Sequence, residues 1–144
     1  MKEIVVDASV AAKWFLPELH ADRALRLFSG RQALIAPDLL IAEFGNIVWK
    51  QVRRRTISAE EASQMIEDMR QLPVQIVSSG PLIGAALQLA IATDRTVYDC
   101  LYLALAVDRE CLLVTADERF ANSLKATPYA SHIRWIGERQ RMHR

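Results

Sequence analysis

With 144 residues, 51% of them hydrophobic and 24% charged, the chain has the composition of an ordinary globular domain. A domain of this length buries about two thirds of the surface its unfolded chain exposes, so one core suffices and a single unit over residues 1–144 is expected. The formal net charge of +1 excludes a global pull toward nucleic acid or acidic membranes and leaves any polyanion site to a local patch.

The N-terminal MKEIVV runs straight into a strand pattern without a signal-peptide core, so secretion is not expected. The longest charge-free apolar stretches, PLIGAALQLAIA and CLYLALAV, fall short of the roughly 18 residues a membrane span needs and read as core helices. Cys100 and Cys111 lack CxxC spacing, and His20, His132 and His143 are scattered, so neither a disulfide framework nor a zinc site is indicated. A reducing cytoplasm is the expected setting.

In chain order, Ile4 to Val6 reads as a buried strand, followed by helical pattern over 11–16 and a second helix over 20–30. A short strand, ALIA, precedes Pro37 and Asp38, which open a long helix through LLIAEFGNIVWKQVRRR. Ser58 with Glu61 three residues on forms a capping box for the next helix, and VQIVSS is a third strand. Two apolar helices follow, over PLIGAALQLAIA and VYDCLYLALAVDRE. The chain closes with a strand at LLVTA, a helix at ERFANSLKA and a last strand at IRWI. Short, continuously apolar strands alternating with helices describe an α/β domain with a mainly parallel sheet covered on both faces. Ligands in such domains gather beyond the carboxyl ends of the strands. Asp7 follows the first strand and Asp117 follows LLVTA, so both are expected on that rim.

Each acid also has an ordinary reading. Asp7 can terminate a strand or cap a helix. Thr96 with Asp99, and Thr115 with Glu118, have capping-box spacing, and Asp117 can cap the helix after it. Glu43 is harder to assign to a cap, being several residues into its helix. On a wheel of about 100° per residue, Ile41, Phe44, Val48 and Val52 share one face, while Glu43, Asn46, Lys50, Arg53 and Arg54 share the opposite stripe. That stripe is either a solvated face or a polar wall leading from the rim. Trp14, Phe15 and Trp49 are either core residues or contact residues for a partner.

Four carboxylates on one rim repel by about 4 kcal/mol for each pair at 4 Å and an effective dielectric of 20. A cation must offset this, and oxygen ligands without His or Cys suit Mg²⁺ or Mn²⁺. Such an ion points to phosphodiester hydrolysis by a metal-activated water.

The motifs VVDASV, AEFGN, TVYDCLYLALA and LLVTADERF stand in an order and spacing that resemble a PIN-domain ribonuclease, in the compact form of the toxins of VapBC toxin–antitoxin pairs. The resemblance covers nearly the whole chain and implies a three-layer α/β/α PIN-like domain. It implies that Asp7, Glu43, Asp99 and Asp117 form an acidic cluster for Mg²⁺ or Mn²⁺, with Thr115 as an accompanying hydroxyl. Ser9 and Asn46 are expected in supporting roles, Ser9 holding Asp7 in place, and Glu118 is a candidate for a further acid. Lys50, Arg53 and Arg54 are candidate RNA contacts. The implied activity is endonucleolytic cleavage of RNA leaving a 5′-phosphate. The implied partners are a cognate VapB-like antitoxin, whose C-terminal segment covers the acidic site, and a second copy in a homodimer.

Other readings fit less well. A dinucleotide-binding fold needs a Gly-rich turn after the first strand, and DASVAA has none. A phosphoaspartate enzyme expects a second Asp where Ser9 stands, and a receiver domain expects an acidic pair and a late Lys that are missing. A non-catalytic RNA- or protein-binding module of the PIN fold remains as the alternative.

Overall fold

The computed structural model describes residues 2–139, and His143 lies outside them. Five strands, β1 (Glu3–Val6), β2 (Ala33–Pro37), β3 (Val74–Val77), β4 (Leu112–Thr115) and β5 (Ile133–Trp135), form one sheet in the order β3-β2-β1-β4-β5. All four pairings are parallel, with Ile4 beside both Leu34 and Leu112. Among the described residues seven α-helices flank the sheet: α1 (Ala8–Ala12), α2 (Ala21–Arg26), α3 (Leu39–Arg53), α4 (Ala59–Gln71), α5 (Ile83–Thr93), α6 (Val97–Asp108) and α7 (Glu118–Ser123). α3 packs on α1 and α4, while α6 packs on α5 and lies against β1, β2 and β4, giving three α/β/α layers.

The β-branched run of β1 belongs at the centre because it is covered on both faces. Val5 and Val6 are wholly buried, as are Ile35, Leu113 and Val114 on the neighbouring strands. The edges differ: β3 leaves Ile76 exposed. α6, apolar on every side, is buried from Cys100 to Ala106, whereas α3 buries only the stripe Leu40, Phe44 and Val48.

Strand order fixes the address of the site. From β1 the chain moves to β2 and β3 on one side, then returns to lay β4 and β5 on the other, so the order reverses between β1 and β4. A crevice opens beyond the carboxyl ends of strands at such a reversal. Asp7 follows β1 and Asp117 stands two residues after β4, on either side of it.

Apart from element ends shifted by one to three residues, as where α7 stops at Ser123 and not at Ala126, the elements depart from the sequence reading in four places. The first helix ends at Ala12, because Lys13, Trp14 and Phe15 donate to carbonyls three residues back, a tightened turn, and Pro17 forbids continuation. The second helix becomes a 3-10 turn at Leu27–Ser29, before Gly30. Pro81 produces another such turn, Gly80–Leu82, ahead of α5. Asp38 occupies the N-cap of α3 without capping it, since its carboxylate accepts from the Ser79 hydroxyl.

The Ser58–Glu61 capping box forms with both arms at 3.0 Å. Ser58→Ala is therefore expected to lower stability by about 1 kcal/mol in urea unfolding. An unchanged midpoint would show that the α3–α4 turn is held by packing alone.

Candidate active site

Asp7, Glu43, Asp99 and Asp117 come from four separate segments and line one cleft of about 440 Å³. Ser9, Asn46, Lys50, Tyr98 and Tyr102 line it as well. Asp7 is delivered by the end of β1, Glu43 and Asn46 by the second turn of α3, Asp99 by the first turn of α6, and Asp117 by the start of α7.

Asp7 is buried and fully engaged. Ser9 Oγ donates to Oδ1 at 2.5 Å, Thr115 Oγ1 to Oδ2 at 2.5 Å, and the Val10 amide to Oδ1 at 3.2 Å as an N-cap. Ser9 Oγ also accepts from the Ala116 amide at 2.9 Å, and Thr115 Oγ1 from the Asp117 amide at 3.1 Å. Two hydroxyls thus tie the end of β1 to the end of β4. Burial disfavours the Asp7 carboxylate more than these donors favour it, the nearby Asp99 charge adds to the effect of burial, and its pKa rises from 3.8 to about 6.

Glu43 accepts from the Tyr102 hydroxyl at 2.5 Å, a bond from the wall helix to the buried helix. Its pKa is raised, chiefly by burial, with the Tyr102 bond lowering it and Asp99 raising it again. Asp99 is likewise raised, first by burial and then by Asp117, while Arg95 acts the other way. The opposing cation is direct: one Arg95 nitrogen, Nη2, lies 2.9 Å from Asp99 Oδ2 and 3.6 Å from Asp117 Oδ2.

The cap readings and the cleft coexist because a carboxylate has two oxygens. Asp117 caps α7 through Oδ1 to the Phe120 amide at 3.1 Å and meets Arg95 through Oδ2. At α6, Thr96 Oγ1 accepts from the Asp99 amide at 3.1 Å, and the Asp99 carboxylate turns to Arg95.

Other expected residues fall outside this cleft. Thr115 stands behind Asp7, not at the cleft surface. Arg53 lies over the exposed Trp49 ring at 5.4 Å, and Arg53 and Arg54 are solvated at the far end of α3. Glu118 lines a separate depression with Lys125, Arg134 and Trp135. Trp14 and Phe15 are core residues: Trp14 Nε1 donates to the Ala24 carbonyl at 2.9 Å, and Phe15 packs on Phe44. Arg95 and Tyr102 were not singled out by sequence. Arg95 reads as a loop charge and Tyr102 as one more apolar helix residue; only their reach to Asp99 and Glu43 distinguishes them.

The cleft's donors are oxygens, from carboxylates, hydroxyls and the Asn46 amide, and among the described residues neither His nor Cys lines it. That set fits Mg²⁺ or Mn²⁺. Among the described residues no three of the Asp, Glu, His and Cys side chains are drawn together closely enough to hold an ion in this conformation, in which Arg95 takes up Asp99 and Asp117.

With the fold and cleft defined, comparison with known proteins supplies the class: residues 4–123 match the PIN domain, and the chain belongs to the PIN-domain family. It is 34% identical over 126 residues to Ribonuclease VapC3 of Pyrobaculum aerophilum, covering 86% of this chain and 96% of that protein. It is 30% identical over 124 residues to Ribonuclease VapC9 of Mycobacterium tuberculosis, covering 85% of this chain and 92% of that protein. Among solved structures, PAE2754 from Pyrobaculum aerophilum superimposes with a TM-score of 0.70 at 26% identity, covering 94% of this chain and 84% of that one.

The raised pKa of Asp7 predicts a pH dependence in metal-free protein. The folded chain binds this proton more tightly than the unfolded chain, so its contribution is greatest below pH about 4 and is lost as pH rises through about 6. Asp7→Asn removes that loss. Its stability relative to wild type should improve by up to about 3 kcal/mol between pH 4 and 7 in EDTA; a gap that does not change with pH would contradict the assignment.

Proposed function

We propose that this chain is a divalent-metal-dependent endoribonuclease of the VapC type. The observation that carries this reading is the convergence of four carboxylates from four segments on one cleft at the reversal of strand order. A bound Mg²⁺ or Mn²⁺ would supply an activated water and offset charge on the phosphoryl oxygens.

The chain's own part is to hold the ligands and place the RNA. Ser9 and Thr115 fix the orientation of Asp7, and Tyr102 fixes that of Glu43. Asp7, Glu43, Asp99 and Asp117 are the proposed ligands, and Asn46 supports the same wall. Because Asp7 holds its proton up to about pH 6, loading the ion releases a proton and strengthens as pH rises through that value. Lys50, on the cleft wall one helical stretch beyond Glu43, is placed to take a phosphate flanking the scissile bond, with Arg53 and Arg54 further along α3. Attack by water on phosphorus with loss of the 3′ oxygen leaves a 5′-phosphate.

The VapC-named relatives support a cognate VapB-like antitoxin as partner. Ile83, Leu87 and Ile91, at intervals of four residues along α5, are exposed and give a homodimer an apolar stripe to cover. Among the described residues no helix is long and apolar enough to cross a membrane, and a cytoplasmic setting is part of the same proposal. The occupation of Asp99 and Asp117 by Arg95 favours a second reading, a non-catalytic PIN-fold module.

Three outcomes test the proposal. Asp99→Asn should reduce RNA cleavage at least a hundredfold with stability within about 1 kcal/mol of wild type, and EDTA should do the same to wild type. Cleavage at the wild-type rate by Asp99→Asn, or in EDTA, sinks the site assignment. Millimolar Mn²⁺ should raise the melting temperature of wild type, since a ligand of the folded state alone stabilises it; no shift favours the non-catalytic reading. Replacing Lys50, Arg53 and Arg54 by Ala should weaken RNA binding and flatten its salt dependence without moving the cleavage position. A slope equal to wild type would reduce the stripe to a solvated face.

A further inference from the structure

Among the described residues, Arg95 is the cation paired with two of the four acids, Asp99 and Asp117. It sits in the short turn between α5 and α6, after Asp94, which adopts a left-handed conformation at φ 58° and closes α5. That turn sends the guanidinium to the buried Phe120 ring, 4.9 Å away, and against both Asp99 and Asp117. The same nitrogen meets both carboxylates, so Arg95 stands where the two ligands converge. It also leaves its own Nε buried without a hydrogen-bond partner among the described residues. An unsatisfied buried donor costs free energy, so the guanidinium is held there by the two carboxylates and the ring despite an incomplete set of bonds.

We propose that Arg95 is a built-in rival of the divalent ion, competing with it for Asp99 and Asp117 and so lowering the chain's affinity for the ion. This rests on the reading of the cleft as a divalent-ion site. Two half-exposed carboxylates cannot serve a guanidinium and an ion fully at once; loading requires Arg95 to release them. In the metal-free chain Arg95 relieves their mutual repulsion; after release it remains anchored by the turn and the Phe120 face, at the edge of the cleft. The opposite possibility is that Arg95 holds the acids in the geometry that the ion needs. The two assign opposite signs to removal of the guanidinium.

The test is Mn²⁺ binding by the metal-stripped full-length chain, measured by calorimetry and by the loss of the free-ion electron paramagnetic resonance signal. Arg95→Met keeps the aliphatic packing on Phe120 and removes the charge. Competition predicts that its Mn²⁺ affinity tightens by about tenfold, the size expected for two partly exposed ion pairs. Arg95→Lys, which keeps the charge but lacks the planar guanidinium that lies on the Phe120 ring and donates in a fixed fork, should tighten by about threefold and serves if Arg95→Met does not fold. Unchanged or weaker Mn²⁺ binding in the folded variant, with wild type binding normally, overturns the proposal and leaves the ion site standing. No Mn²⁺ binding by wild type or either variant overturns the ion site itself, and this inference with it.

Discussion

Two hydroxyl groups hold the ends of the two central strands together, and the cleft depends on that join. Ser9 and Thr115 both donate to Asp7, and each accepts an amide from the segment that follows β4. β1 and β4 are adjacent in the sheet, yet Ser9 and Thr115 at their ends are 106 residues apart in the chain, so nothing local brings Asp7 and Asp117 to the same place. The sheet supplies the adjacency and the hydroxyls supply the angle. A carboxylate buried this deeply would be costly to ionise without them, and even with them its pKa stays above the ordinary range.

The surrounding acids are secured in the same manner, each by a donor from another element. Glu43 is tied to Tyr102, Asp99 and Asp117 to Arg95, and Asp7 to the strand-end hydroxyls. Helix N-termini contribute as well, since Asp7 and Asp117 cap α1 and α7 and Asp99 lies in the first turn of α6. The folded chain can therefore keep four acids around one cleft without an ion, although at raised proton affinity for Asp7, Glu43 and Asp99.

Much of this was legible in the sequence because its signals are short-range and periodic. Uninterrupted apolar runs located β1, β2 and β4, and an acid after β1 and another after β4 gave the rim once a parallel sheet was inferred. The helical wheel placed Glu43, Asn46 and Lys50 together, and all three line the cleft. Illegible were features that depend on what a side chain meets across the fold. Arg95 looked like an ordinary loop charge, and Tyr102 was hidden in a helix apolar on every side. Glu118 carried the capping-box spacing of its neighbour but lies over a different depression. The early end of α1 followed from Pro17 and the packing of Phe15 on Phe44, a tertiary contact that overrides a helical pattern.

In the proposed reading the cleft is a divalent-ion site whose ligands Arg95 occupies in the ion's absence. The most direct measurement is the Mn²⁺ anomalous difference density in crystals grown at saturating Mn²⁺. The expected result is a peak in the cleft among Asp7, Asp99 and Asp117, with the Arg95 guanidinium withdrawn from both aspartates. Density elsewhere on the molecule, or an empty cleft with Arg95 still paired to Asp99, would contradict it.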